Sequence, residues 1–223
     1  MGVSLTPYKI CDFDCVYCQL GKTKETTVER KEYVKIEEVL GELTSWFQNN
    51  LQESGNLKFI TISGSGEPTL HSKIGELIAR IKKVTPIPVC VITNSSLLDK
   101  AEARREILAA DLIIPSLDAV TPEVFREIDR PHRDIKIEYI IEGLVNLKKE
   151  FRGKIWLEVM LVKGLNDDSK HIEGLKSVME RIRPDKIQLN SPVRCTAEQN
   201  VSPLERKQLE KIKEILGDKC EII

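Results

Sequence analysis

Long apolar runs are missing from this sequence of 223 residues. No stretch approaches the ~18–20 consecutive apolar residues that a helix needs to span a bilayer. The first residues, Met-Gly-Val-Ser-Leu-Thr-Pro, lack the basic segment and the apolar segment of a secretory signal peptide. These two absences predict a cytoplasmic protein without membrane association, whose thiols stay reduced.

An excess of one charge is also missing, because 34 Lys and Arg residues balance 35 Asp and Glu residues. The net charge therefore argues neither for nor against RNA as a partner. Lys22, Lys24, Arg30 and Lys31 form only a modest basic patch. No Gly-x-Gly-x-x-Gly follows the first predicted strand, so the fingerprint of dinucleotide-binding domains is absent.

Short apolar runs alternate with amphipathic segments along the chain. The runs begin near Val3, Phe59, Val89, Leu112, Ile155 and Ile187. Between them, apolar residues recur at the three- and four-residue spacing of helices. Six such units predict a parallel sheet covered by outer helices. Because a complete (β/α)8 barrel takes about 250 residues, we expect a partial (β/α)6 TIM-like open barrel over residues 1–195. A C-terminal helix and a short tail, residues 196–223, would pack on this core.

Polar residues recur at every second position near the ends of several predicted strands. They are Thr61 and Ser63, Ser116 and Asp118, Gln188 and Asn190, with Glu158 inside another apolar strand. Alternate residues share one face of a strand, and both faces of a parallel sheet are normally buried. The pattern reflects either ordinary strand-end polarity or a wet cavity. Its position toward the carboxyl ends of the strands, where barrel active sites form, favours a cavity.

Three of the six cysteines, Cys11, Cys15 and Cys18, lie close together in the sequence. No second Cys-x-x-Cys pair and no His-x-His pair accompanies them, which disfavours a closed zinc site with four protein ligands. A zinc site completed by a distant His or Cys, and a chance grouping of unreactive thiols, stay open as alternatives. A [4Fe–4S] cluster held by three thiolates is favoured, because one iron then keeps an open coordination position. Gly21 is expected to help the loop turn back.

The cysteine motif carries a family resemblance. Cys-x-x-x-Cys-x-Tyr-Cys resembles the signature of radical S-adenosylmethionine (SAM) enzymes, in which an aromatic residue, here Tyr17, precedes the third cysteine. The segment Ser63-Gly-Ser-Gly-Glu-Pro-Thr-Leu70 looks like the Gly-Gly-Glu motif of that family, with Ser65 in place of the first glycine. The similarity extends over roughly residues 3–195.

The resemblance implies the cofactors and their chemistry. Cys11, Cys15 and Cys18 would hold a [4Fe–4S] cluster whose open iron is chelated by SAM. One electron from the cluster would cleave SAM to methionine and a 5′-deoxyadenosyl radical, which abstracts a hydrogen atom from the substrate. The cofactors supply this chemistry and the protein positions them. A one-electron donor such as flavodoxin or ferredoxin would be a partner.

The resemblance also assigns side chains to SAM. Tyr17 would pack near the adenine, while the backbone of Ser65 and Gly66 and the carboxylate of Glu67 would meet the SAM amino group. Further candidates are Asn94, Ser116 and Asp118 for the ribose hydroxyls or the SAM carboxylate, and Asn190 for the border of the adenine. The first three are equally compatible with helix capping.

The substrate stays open between several classes. The residues around the motifs are most similar to those of the wyosine-base enzymes of tRNA modification, although this sequence lacks the second set of cysteines that those enzymes carry. An activase for a glycyl-radical enzyme and a peptide-modifying enzyme are alternatives, and a non-catalytic iron–sulfur or zinc protein is a third. Arg130-Pro-His-Arg133 either faces an anionic substrate or forms a solvated loop.

Overall fold

Seven parallel strands form one sheet in the order in which they follow along the chain, as a computed structural model of residues 1–223 shows. The strands are β1 (Gly2–Ser4), β2 (Ile60–Ser63), β3 (Val89–Thr93), β4 (Leu112–Pro115), β5 (Lys154–Met160), β6 (Lys186–Asn190) and β7 (Cys220–Ile222). Parallel neighbours need a crossover between them, and the chain supplies helices for this purpose. The predicted fold class, a parallel sheet with outer helices, is confirmed.

The helices lie in a single layer against the sheet. They are α1 (Ile36–Asn49), α2 (Leu51–Ser54), α3 (Ile74–Val84), α4 (Ala101–Ile107), α5 (Pro122–Ile128), α6 (Ile137–Glu150), α7 (Ser169–Ile182) and α8 (Arg206–Leu216). Contacts join α1 to α3, α3 to α4, α6 to α7 and α7 to α8, so the helices follow the order of the strands. None of them combines the length and the apolar character that crossing a membrane requires.

Burial alternates along the strands of the second half of the sheet. On β5, Ile155, Leu157 and Val159 are buried in the core shared with the helices. Trp156 and Glu158, which point to the opposite face, are only half-buried. The core therefore lies between the strands and the helix layer, while the inner face of β5, β6 and β7 is polar and partly open to solvent.

The structure contains α2, α4, α5 and β7 in addition to the elements predicted from the sequence. Residues 220–222, within the predicted tail, form the seventh strand, with Cys220 and Glu221 paired to Ile187 and Gln188 of β6. A strand of three residues is too short for its periodicity to be recognised. Helices α4 and α5 have only seven residues each and escaped prediction for the same reason.

Helix α6 packs closely on the segment after β3, and a glycine makes this approach possible. An added Cβ at Gly143 would stand 2.4 Å from the backbone carbon of Leu98 and 2.5 Å from the Asp99 nitrogen. Atoms this close have to move apart, so the glycine is required by packing and not by its backbone conformation.

We expect Gly143→Ala to lower the free energy of unfolding by about 1–3 kcal/mol, the usual effect of overpacking. The matched control is Gly41→Ala in α1, where an added Cβ meets nothing within 4 Å. This control should raise the free energy of unfolding by up to about 1 kcal/mol, because alanine favours helix more than glycine does. Urea denaturation of both variants measures the difference, and equal midpoints would contradict the packing argument.

Candidate active site

The three cysteines lie on the loop that follows β1, at the carboxyl end of the sheet. Cys18 N donates to Cys15 O and Gly21 N donates to Cys18 O, each at 3.1 Å, so two consecutive turns shape the loop. Gly21 has φ 79°, a left-handed conformation that supplies the expected turn. All three thiols are free and partly exposed.

The first support of this loop is the Gly-Glu-Pro turn after β2. Ile10 O accepts a hydrogen bond from Glu67 N at 3.0 Å, and Ile10 pairs with Gly66 in a parallel bridge. A Cβ at Gly66 would lie 1.6 Å from Ile10 O. Only glycine therefore allows the cysteine loop to dock at this point.

The second support is the last residue of α5 and the segment that follows it, residues 128–132. Val16 N donates to Ile128 O at 2.9 Å, and His132 N donates to Asp12 O at 2.7 Å. The segment that contains Arg130 was expected to face a substrate or to form a solvated loop. Its backbone forms a short ladder with the cysteine loop, a long-range contact that the sequence does not reveal, and the surroundings predicted for its side chains stay a prediction.

Four buried carboxyl groups surround the cysteine loop. Asp12, Glu67, Asp118 and Asp129 are exposed by 0%, 2%, 4% and 3%. Burial, with the charge of Glu67 in addition, raises the pKa of Asp12 to about 7. Burial likewise raises the pKa of Asp118 to about 7, and burial with the charge of Asp118 raises that of Asp129. The charges that act on these groups are those of other acids, so the chain itself leaves the site short of positive charge.

One small cavity brings together four of the predicted SAM-binding residues. Tyr17, Asn94, Ser116 and Asp118 line it together with apolar residues, and its volume is about 10 Å³. Tyr17 donates its hydroxyl hydrogen bond to Asp118 Oδ2. Residues that are far apart in the sequence thus lie close together at the carboxyl ends of β3 and β4.

Glu67 is engaged by the protein itself. Its Oε1 accepts from Thr69 N at 2.9 Å, from Thr69 Oγ1 at 2.6 Å and from Thr93 Oγ1 at 2.7 Å, and its Oε2 accepts from Asn94 N at 2.7 Å. Three of the bonds fall on Oε1, so an ammonium group would share Oε2 with Asn94. The predicted contact of Glu67 with the SAM amino group stays a prediction.

Ser65 and Asn190 lie away from the cavity. Ser65 N approaches Ser4 Oγ at 3.3 Å, which places the serine at the rim beside β1. Asn190 Nδ2 donates to Glu158 Oε1 at 3.0 Å, so its side chain points along the inner face of the sheet. Their predicted contacts with SAM also stay predictions.

Residues that the sequence analysis did not assign hold Asp118 and the cysteines in place. Asn166 is fully buried, and its Nδ2 donates to Asp118 O and to Met160 O, each at 2.8 Å. Asp129 Oδ1 lies 3.6 Å from Cys15 Sγ. Because Asp12 adjoins Cys11 in the cysteine motif, the sequence could have identified it as a site residue. Asn166 and Asp129 are isolated far along the chain, and no sequence pattern marks them.

The donor set fits an iron–sulfur cluster. No group of three or more Cys, His, Asp or Glu side chains converges on a point where one ion would be held. Burial and the neighbouring carboxylate of Asp12 raise the pKa of Cys11, so its thiolate forms when a cation compensates the charge. Three soft thiolates suit an iron–sulfur cluster, because they balance the positive charge of its core, and a sulfonium ligand would bring further positive charge beside the buried acids.

A comparison with protein families shows which family the chain belongs to. The pattern described as the Radical SAM superfamily matches residues 5–174. The chain belongs to the radical SAM superfamily. The cofactors of this superfamily are a [4Fe–4S] cluster and SAM, and the matched residues include the cysteine loop, the Gly-Glu-Pro turn and the cavity.

Two other proteins are similar in sequence to this chain over nearly its whole length. The UPF0026 protein MJ1312 of Methanocaldococcus jannaschii is 30% identical over 220 residues, which cover 98% of this chain and 67% of the relative. A protein of Brachyspira hyodysenteriae named GTPase Obg is 38% identical over 222 residues, which cover 100% of this chain and 32% of that protein. The chain thus spans about two thirds of one relative and one third of the other. The narrower resemblance to wyosine-base enzymes stays a prediction.

Solved structures of other proteins share the fold. A radical SAM methyltransferase from Sphaerobacter thermophilus superposes with a TM-score of 0.73 at 18% identity, covering 100% of this chain and 65% of that chain. Streptococcus suis SuiB bound to SAM gives a TM-score of 0.71 at 13% identity, covering 100% of this chain and 49% of that chain. These likenesses confirm the expected partial TIM-like barrel.

We expect Gly66→Ala to impair iron loading, because its Cβ would displace the Ile10 carbonyl and the cysteine loop with it. Ser65→Ala is the control, since Ser65 meets its neighbour through its backbone nitrogen. Iron content after anaerobic reconstitution measures the effect, and circular dichroism shows whether the fold persists. Full iron loading in Gly66→Ala would show that the loop does not need this contact.

We expect the cluster-free chain to lose stability as the pH rises from about 4 to about 7. Asp118 has its folded-state pKa raised from 3.8 to about 7, so the folded chain keeps a proton that the unfolded chain has released. Its contribution to stability is therefore present below pH 4 and lost as the pH rises through 7. Asp118→Asn should flatten the curve and exposed Asp134→Asn should not, as urea unfolding across this range will measure. A slope unchanged by Asp118→Asn would contradict the assignment.

Proposed function

We propose that this chain forms the catalytic core of an enzyme that cleaves SAM reductively and removes a hydrogen atom from a substrate. The single observation that carries the proposal is the cysteine loop, which presents three free thiols amid buried acids at the carboxyl end of a radical SAM barrel. When bound, the cofactors supply one electron to the C5′–S bond of SAM, giving methionine and a 5′-deoxyadenosyl radical that takes the hydrogen.

The chain's own residues hold and orient these cofactors. Cys11, Cys15 and Cys18 would ligate three irons of the cluster, which would leave one iron for the amino and carboxylate groups of SAM. The backbone at Gly66 supports the loop from one side, and the segment 128–132 supports it from the other. A loop fixed at both sides would hold the cluster in one position at the carboxyl end of the sheet.

The cavity residues receive the rest of SAM in this proposal. Tyr17 packs beside the adenine, while Asn94, Ser116 and Asp118 bind the ribose hydroxyls or the carboxylate. The backbone of Ser65 and Gly66, with Oε2 of Glu67, faces the amino group. The small volume between these side chains, about 10 Å³, implies that they separate when the nucleoside enters.

A one-electron donor of the flavodoxin or ferredoxin type completes the reaction. The cysteine loop lies at the protein surface, where Gln19 is exposed and the thiol of Cys18 is partly exposed. Electron transfer needs only a short approach to the cluster, so the donor can dock over this loop. Reduction therefore requires no opening of the barrel.

The charges near the site bear on the substrate class. The basic patch is largely neutralised, because Lys22 pairs with Glu198 at 3.0 Å and Lys31 pairs with Glu29 at 2.8 Å. Arg30 is paired as well, with Glu102 and Glu106. A tRNA backbone is bound through unpaired cations, so this pairing counts against tRNA and supports a peptide, protein or small-molecule substrate.

A tRNA base remains the more specific candidate for the substrate, and the residues around the motifs support it. Copurified RNA would favour it, and a copurified large enzyme would favour the activase alternative. Deuterium transfer from labelled candidate substrates into 5′-deoxyadenosine identifies the hydrogen donor directly. A non-catalytic scaffold predicts no SAM cleavage at all.

We expect anaerobic reconstitution to load about four iron atoms per chain and the reduced protein to form 5′-deoxyadenosine from SAM. Cys15→Ala should lose most of the iron and all of the product, because one corner of the cluster is left without its thiolate. Cys195→Ala, which removes an exposed thiol outside the loop, is the control and should keep both. Unchanged iron in Cys15→Ala would overturn the ligand assignment.

A further inference from the structure

Charged and amide side chains line the inner face of β5, β6 and β7, where they are in register. Trp156 is paired with Lys186 and Glu158 with Gln188 across β5 and β6, and Gln188 is paired with Glu221 across β6 and β7. Both faces of a parallel sheet are normally covered by apolar contacts. A polar row on the uncovered face therefore indicates a surface built to meet a polar ligand.

Most side chains of this row form ion pairs or hydrogen bonds with one another. Lys186 Nζ lies 3.1 Å from Glu221 Oε1 and 4.4 Å above the ring of Trp156. Gln188 Nε2 donates to the same Oε1 at 3.1 Å. The charge of Glu221 is thus compensated inside the row, and its side chain is 40% exposed.

Glu158 differs from Glu221 because it has no cationic partner. Its carboxylate accepts one hydrogen bond, from Asn190 Nδ2 at 3.0 Å, and its side chain is half-buried on the inner face. A half-buried carboxylate loses hydration without a compensating charge. Asn190 also fixes the orientation of the group, since Asn190 Oδ1 accepts from Ser191 N at 2.8 Å.

Glu158 also adjoins the candidate SAM site. Its backbone forms a bridge with Ser116, and its carbonyl oxygen accepts from Leu117 N at 2.9 Å. Ser116 and Asp118 line the cavity proposed for SAM, and the charge of Glu158 is one of the causes that raise the pKa of Asp118. The carboxylate therefore stands between that cavity and the barrel interior.

We propose that Glu158, oriented by Asn190, binds a cationic nitrogen group of the substrate, an ammonium or guanidinium, and so holds the substrate inside the barrel beside the SAM site. The inference rests on the proposed function, because the interior is a substrate chamber only if the radical forms at its rim. A charge-assisted hydrogen bond to such a group compensates the carboxylate. The chemistry is that of a lysine or arginine side chain of a peptide, or of a small amine.

Binding of a minimal probe tests this site without the cofactors. The chain has two tryptophans, so Trp46→Phe leaves Trp156 in the row as the only indole reporter. N-acetyl-arginine amide and N-acetyl-lysine amide are titrated against this protein, with N-acetyl-citrulline amide as the uncharged probe of nearly the same shape. We expect saturable fluorescence changes with the two cationic probes and at least tenfold weaker binding of citrulline amide, about the effect of one charge-assisted contact.

Glu158→Gln and Glu221→Gln separate the two carboxylates in the same background. Glu158→Gln should weaken binding of the arginine probe about tenfold, while Glu221→Gln should change it by no more than about twofold, since Glu221 is paired with Lys186. Equal effects of the two variants would overturn the inference. So would equal binding of citrulline and arginine amides by the Trp46→Phe protein, a comparison that holds even if a Glu158 variant fails to fold.

SAM titration separates this site from the cofactor site. If Glu158→Gln weakened SAM binding by the same factor as probe binding, Glu158 would belong to the SAM site and the inference would fall. Iron loading and 5′-deoxyadenosine formation are measured on the wild-type chain. SAM cleavage without probe binding rejects this inference alone, whereas probe binding without SAM cleavage rejects the proposed function alone.

Discussion

The whole site depends on one close contact, between the carbonyl group of Ile10 and the bare Cα of Gly66. A side chain at residue 66 would occupy the place of that carbonyl oxygen, so the glycine sets where the cysteine loop meets the sheet. The hydrogen bond from Glu67 N to Ile10 O fixes the same junction. Glu67 then extends the connection to the end of β3 through Thr93 and Asn94. The Gly-Glu-Pro turn is therefore a structural joint between three loops as well as a candidate ligand contact.

Charge is the second constraint on this site. Burial makes ionisation of a carboxyl group costly, and four buried carboxyl groups stand around three thiols with acids as their charged neighbours. A chain that only needed stability would gain from apolar residues there, because unpaired buried acids destabilise a fold. The arrangement becomes reasonable when a sulfonium ligand enters, since its positive charge would stand beside the acids, whereas the positive charge of an iron–sulfur core is balanced by its three thiolates. Function and stability thus oppose each other at the carboxyl end of the sheet.

The sequence predicted those parts of the fold and site that depend on local spacing. Six strands follow from apolar runs, and the cysteine loop follows from three thiols within one short segment. Tyr17, Asn94, Ser116 and Asp118 were predicted separately, and the parallel order of the strands explains why they meet at one cavity. Contacts between distant segments were not predicted. The ladder between the cysteine loop and residues 128–132 joins two backbones whose side chains carry no pattern, and β7 is too short to show a period.

The inner face of the barrel shows how an incomplete sheet differs from a closed one. A closed eight-stranded barrel fills its interior with packed side chains, but seven strands in open order leave β7 and β1 unpaired at the two edges. Water then reaches the inner face, and polar residues such as Gln188 and Glu221 are tolerated there because they bond to one another. Glu158 is the exception, since its charge has no partner within the row. Solvent alone tolerates such a group but gives no reason for Asn190 to orient it, and a ligand that carries the missing charge gives that reason.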